Sequence, residues 1–172
     1  MVAEPARRGS FTVIERDNED SREIEAHAQF MLLAIQQAKM AAPISRAFNT
    51  GVFIVNGNQP IMGGHSRDPR APELHAAAGA IAKARGTSQE RLLDGATLYT
   101  TMEPCSSPAM AKTPCTTHII QAGIRRVVIG VKEPPEFTNC RGADTLRDAG
   151  IDVTHLLFMQ EECLKTNIHL LT

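Results

Sequence analysis

The stretch Val127-Val-Ile-Gly-Val131 carries no polar side chain. It is short for a buried helix, and it lacks the alternation of a strand with one wet face. A strand of this kind is covered on both sides, as in a parallel sheet with helices packed above and below it. The surrounding sequence agrees. Further strands are expected at 51–55, around 61–62, at 97–101 and at 151–154, the first two joined by the turn Asn56-Gly57-Asn58. Helices are expected over 21 to about 43, 74–85, 116–122, 143–149 and 160–170. Gly86, Gly123 and Gly150 close three of them. Strands and helices in alternation predict an α/β fold, a three-layer sandwich. The length of 172 residues suits one domain, expected to span 21–172. Residues 1–20 mix charge, proline and glycine, and are expected to form a mobile or loosely docked arm.

Charge and composition remove several classes of function. Eighteen basic residues against nineteen acidic ones leave a net charge of −1. There is then no basic field for nucleic-acid phosphates. Aromatic residues are 4% with no Trp, too few for stacking platforms along a single strand. The longest apolar run, 30–35, is far too short to cross a bilayer. The first twenty residues hold no apolar block of the secretory type, so the expected setting is cytoplasmic and reducing, with no nucleic-acid or membrane partner. In that setting the four cysteines point to metal or redox chemistry rather than a disulfide framework.

Three residues stand out as metal ligands. His75 opens a predicted helix after a loop; Cys105 follows a strand end in Thr101-Met-Glu-Pro-Cys105; Cys115 opens a second helix in Thr113-Pro-Cys115. One His and two Cys suit Zn²⁺ and leave a fourth position for water. A proline fixes the backbone before each cysteine, and a helix N-terminus favours a thiolate. Zinc would bring the pKa of that water to about 7, making a nucleophile at neutral pH. The plainer alternatives are a structural zinc or buried thiols without metal. A structural site closes with four protein ligands, for which His65 is the nearest extra candidate. Cys140 and Cys163 lack spaced partners and read as bystanders, and His27, His118, His155 and His169 as structural or surface residues.

The pattern resembles the zinc-dependent cytidine deaminase superfamily, with its H-x-E followed by P-C-x-x-C. The longer gap between the cysteines, LYTTMEPCS, TPC, VVIGVKEP and GADTLRDAGIDV, together with AFNTGVFIV and GGHSRDP upstream, is similar to the riboflavin-pathway pyrimidine deaminases of fungal type over about residues 25–170. The resemblance implies a central mixed five-stranded sheet of the cytidine deaminase type, with one Zn²⁺ per chain. It implies hydrolytic removal, as ammonia, of the C2 amine of a diamino-ribitylamino-pyrimidinone phosphate. It also implies a homodimer. The chain ends just past the matched region, so no fused reductase domain is expected. One position departs. The glutamate of H-x-E falls at Ala77. That carboxylate is not a ligand; it moves protons between water, ring nitrogen and leaving amine, and its loss costs about 10²–10⁴ in rate. Glu73 precedes the histidine, and Glu103 belongs to the family's own E-P-C, so neither is an evident replacement. Ala77 is read as a carboxylate removed from an otherwise active deaminase to trap substrate. The alternatives are a natural zinc-binding pseudoenzyme and, for the active form, another nucleoside, nucleotide or natural-product pyrimidine as substrate.

Expected substrate contacts are Asn49 on a polar ring edge, Ser66 and Arg67 at the sugar and phosphate, and Lys112 at a phosphate. The backbone groups of Ala76 and Ser106 are expected near the base. For Arg67 and Lys112 the competing reading is a solvated surface charge. The segment 133–141 is expected to cover the pocket or to form a subunit contact.

Overall fold

In the computed structural model, which describes residues 7–17, 20–108, 110–133 and 140–171, the apolar run lies in the sheet interior, as its composition requires. It forms β5 (Arg126–Val131), bonded in parallel to β4 (Thr97–Met102) on one side and to β6 (Asp152–Leu156) on the other. Beyond β4 the direction reverses. There β2 (Gly51–Asn56) runs antiparallel to β4 and turns through Gly57, at φ 58°, into the edge strand β3 (Gln59–His65).

The sheet holds six strands rather than five. The sixth is β1 (Phe11–Ile14), inside the expected arm, paired in parallel with β6. Four residues are too few to show a period. Tertiary contacts hold them instead. The Ser10 backbone N–H and hydroxyl both donate to Asp152 Oδ1 at 2.8 Å, and the Phe11 ring lies 5.5 Å from Lys132 Nζ and from the Arg147 guanidinium.

Helices cover both faces. On one lie α1 (Ser21–Met40) and α5 (Gln160–Leu164), closing a core that includes Met31, Ile35, Tyr99, Val128 and Leu156. On the other lie α2 (Ala76–Arg85), α3 (Cys115–Gln121) and α4 (Gly142–Asp148), over Val52, Ile54, Leu98, Val127 and Ile129. Asp20 starts α1 by accepting from the Arg22 N–H at 3.0 Å. A Cβ on Gly51 would stand 1.9 Å from the Ala34 carbonyl oxygen, so α1 meets β2 at a distance only glycine permits.

Several boundaries differ from expectation. The strand β3 runs on to His65, and α2 starts at Ala76 because His75 is extended (φ −67°, ψ 163°). The helix expected over 160–170 breaks into α5, a 3₁₀ turn at Lys165–Asn167 and α6 (Ile168–Leu171). Thr166 Oγ1 donates back to the Cys163 carbonyl at 2.9 Å, and the Asn167 side chain turns inward to Asn49.

Candidate metal centre and pocket

The sheet delivers three ligand side chains to the C-terminal end of β4, where open α/β sheets hold their ligands. Cys105 follows that strand, Cys115 is the first residue of α3 and His75 directly precedes α2. One ligand atom from each lies within 4.8 Å of the other two, and His75 Nδ1 is 3.5 Å from Cys105 Sγ. Bonds of about 2.1 Å to nitrogen and 2.3 Å to sulfur at tetrahedral angles place such a pair about 3.5 Å apart, so the spacing fits zinc. The charges fit as well. A hydrogen bond from the Cys115 thiol holds the Cys105 thiol far below its ordinary pKa against the opposing effect of burial, with His75 and the Cys115 backbone N–H (3.2 Å) adding to it. The same shared proton, together with burial, pushes Cys115 up. Two thiols already sharing one proton are suited to release it to a soft cation. Among the described residues no further His, Cys, Asp or Glu joins the group. His65 is turned away, its Nδ1 3.0 Å from the Ser66 carbonyl oxygen and its Nε2 4.0 Å from Asp68.

A cavity of about 690 Å³ opens over the trio. Ser66, Arg67, Ala76 and Ala77 all border it. Three other expected contacts do not. Asn49 is buried, its Nδ2 donating to the carbonyls of Ala41 (3.3 Å) and Thr166 (3.4 Å) while its Oδ1 accepts from Arg67. Ser106 faces a second hollow of about 340 Å³, and its Oγ accepts from the Arg141 N–H at 3.0 Å. Lys112 is exposed and outside the cavity wall. Of the segment 133–141, Glu133 borders the cavity, and 134–139 lie outside the described residues. Arg46, Phe48, Thr50 and Met110 border it without having been expected. The first three lead into β2, and only the fold shows that this approach passes the metal ligands.

Among the described residues the carboxylates that border the cavity are Glu73, Glu103 and Glu133, and position 77 carries none. Glu103 is buried with both oxygens engaged, accepting from Ala143 N at 2.8 Å and from Glu133 N at 3.1 Å. Burial raises its pKa, but its task is to tie two loops to the end of β4. Glu73 is exposed on the loop before His75.

Among the described residues Arg67 is, with Arg46, one of two arginines that border the cavity. Its backbone is left-handed at φ 58°. Its Nη2 donates to the Ala42 carbonyl (2.8 Å) and to Asn49 Oδ1, and its Nη1 to the Phe48 carbonyl (3.5 Å). The next residue, Asp68, is buried with Lys83 Nζ at 2.5 Å and accepts from the Arg70 N–H at 2.9 Å. Burial works to raise the Asp68 pKa, and the cations overcome it, leaving the carboxyl well below the usual range.

The profile of the cytidine and deoxycytidylate deaminase zinc-binding region matches residues 24–131. The chain belongs to this family. Within it, the diaminohydroxyphosphoribosylamino-pyrimidine deaminase of Schizosaccharomyces pombe is 38% identical over 139 residues, 81% of this chain and 34% of that protein. The chain therefore spans about a third of that relative. A diaminohydroxyphosphoribosylaminopyrimidine deaminase/5-amino-6-(5-phosphoribosylamino)uracil reductase of Thermotoga maritima superposes with a TM-score of 0.70 at 32% identity, over 84% of this chain and 40% of that one. The Aspergillus oryzae Rib2 deaminase in complex with DARIPP shares the fold, with a TM-score of 0.69 at 23% identity over 81% of this chain and 88% of that one.

Proposed function

We propose that this chain is a riboflavin-pathway pyrimidine deaminase domain in which Ala77 leaves the proton shuttle missing, so that it holds its substrate without efficient turnover. The reading rests above all on the His75–Cys105–Cys115 trio at the floor of a cavity that Ala77 itself borders. The names of the Schizosaccharomyces and Thermotoga relatives support the substrate class, a diaminopyrimidine with a phosphorylated sugar-amino arm; the fungal-type resemblance makes it the diamino-ribitylamino-pyrimidinone phosphate, deaminated to its uracil form with release of ammonia. His75, Cys105 and Cys115 would hold one zinc per chain with water as the fourth ligand. When bound, zinc supplies the Lewis acidity that makes water nucleophilic at neutral pH. The chain's own residues bind and orient. Arg67 and Ser66 receive the phosphorylated arm, the backbone beside His75 meets the ring, and Asn49 acts behind Arg67. At position 77 a methyl group can neither take a proton from water nor deliver one to the leaving amine. A homodimer in a cytoplasmic setting completes the reading.

The test is ammonia release by the zinc-loaded protein and by Ala77→Glu, with the riboflavin-pathway pyrimidine phosphate, cytidine and deoxycytidylate as substrates. Restored turnover on the first is expected. Turnover on one of the others instead would move the substrate. Zinc-loaded Ala77→Glu that binds a pyrimidine yet turns over none would make the chain a binding module, the second reading that Ala77 favours.

A further inference from the structure

Neither Asn49 nor Asn167 borders the cavity, and their hydrogen bonds tie both to Arg67. Asn167 is fully buried. It exchanges two hydrogen bonds with Asn49 across 118 residues of sequence: the Asn49 N–H donates to its Oδ1 at 2.5 Å, and its Nδ2 donates to the Asn49 carbonyl at 3.1 Å. Asn49 commits its Nδ2 to the carbonyls of Ala41 and Thr166, which turns its Oδ1 toward Arg67. Every acceptor on the guanidinium is neutral: Asn49 Oδ1 and the carbonyls of Ala42 and Phe48. Neutral acceptors fix a cation without cancelling its charge, and among the described residues Arg67 makes no ion pair. Its Nε is buried with no hydrogen-bond partner among the described residues. From the backbone side, the left-handed turn at Arg67 is followed directly by the buried Asp68–Lys83 pair. A guanidinium restrained at both ends, uncompensated, at a cavity wall is preorganised for an anion.

We propose that Asn49, held in place by Asn167, is a positioning residue that presents Arg67 to the ligand's phosphate and so sets the pocket's preference for phosphorylated over unphosphorylated pyrimidines. This rests on the pyrimidine-phosphate reading above.

Calorimetric titration of the zinc-loaded chain tests it with three probes: the diamino-ribitylamino-pyrimidinone phosphate, its dephosphorylated counterpart and inorganic phosphate. The phosphorylated ligand is expected to bind at least about tenfold tighter than its counterpart, the scale of a hydrogen bond to a charged group. Asn49→Leu and Arg67→Gln should each bring that ratio close to one, and the double variant should lose no more than either alone, because the two act through one contact. If Asn49→Leu fails to fold, Asn49→Asp keeps the size and the acceptor but sets a counter-charge against the guanidinium, and should abolish the ratio too. A folded Asn49→Leu that keeps the ratio overturns the proposal, as do losses that add in the double variant, or an unmodified chain without preference. Failure of the underlying reading looks different, since neither pyrimidine would bind. Inorganic phosphate then decides: binding lost in both Asn49→Leu and Arg67→Gln sustains the relay, and absence of binding ends it.

Discussion

The Asp68–Lys83 pair sets a measurable share of the stability of the loop that carries Arg67 and leads to His75. Its Nζ–Oδ2 distance is 2.5 Å, with side-chain exposures of 3% for Asp68 and 10% for Lys83. At an effective dielectric of about 20, two charges that close attract by roughly 6–7 kcal/mol. Desolvation of each ion offsets most of this, so the net value of the pair is small, whereas removal of one partner strands the other. Asp68→Ala should therefore cost about 3–5 kcal/mol, while Asp68→Leu combined with Lys83→Met should cost much less. For a domain of this size the single variant corresponds to a melting temperature lower by roughly 6–20 °C. The sign with pH is fixed by the lowered Asp68 pKa. The contribution is complete above the ordinary carboxylate range near pH 4 and is lost as pH falls below it. Calorimetric melting of the three zinc-loaded proteins at pH 7 measures the effect. An Asp68→Ala variant within about 1 kcal/mol of the parent, the range of an exposed pair, would refute the argument. So would a double variant as unstable as the single one.

Two other predictions concern the metal ligands and acid sensitivity. Cys105→Ser should weaken zinc at least about a hundredfold in chelator competition, the upper end of what losing a group that merely supports a ligand costs; Cys140→Ser should retain it. Burial lowers the pKa of His155 against the opposing effects of the Gly130 backbone and the Gln160 side chain, and its Nε2 has no hydrogen-bond partner among the described residues. The unfolded chain thus takes up a proton near pH 6.5 that the folded chain refuses. Stability should then fall below that pH by up to about 1.4 kcal/mol per unit from this residue. Urea midpoints from pH 7 to pH 5 should show the slope, and His155→Gln should flatten it.

The metal centre was legible because its chemistry is local: each ligand sits beside a proline or a helix start, and softness restricts the choice of metal. The layers were legible because β2 and β5 carry unbroken apolar runs and because strands alternate with helices through the second half of the chain. What the sequence hid depends on distant partners. Asn49 looked like a ring contact, yet its amide is occupied by Ala41, Thr166 and Arg67, groups brought together only by the fold. Ser106 adjoins a ligand in sequence but turns to Arg141. The strand β1 has too few residues for a period to register, and Asp152, 142 positions from Ser10, holds it in place. The left-handed turn at Arg67 has no glycine to announce it.

Packing explains why Ala77→Glu is a fair test of the missing shuttle rather than of folding. Most of α2 consists of small residues because it lies close on β3: a Cβ on Gly64 would stand 2.8 Å from the Ala76 carbonyl oxygen and 2.9 Å from the Ala80 Cβ. Enlarging Ala80 would force that layer apart. Ala77 differs, for it borders the cavity of about 690 Å³, and a longer side chain there can extend into open volume. It is also the second residue of α2, whose first turn holds no acidic group and whose N-cap His75 makes no side-chain capping bond. A carboxylate there gains about 0.3–1 kcal/mol from the helix N-terminus, which offsets its small loss of helix propensity relative to alanine. The variant should therefore melt within a few degrees of the parent. Ammonia release should rise by about 10²–10⁴, the contribution of a positioned proton carrier. A folded, zinc-loaded Ala77→Glu with no gain on any of the three substrates would mean that the pocket no longer orients a pyrimidine for attack, and the loss would then lie in the cavity wall rather than at position 77.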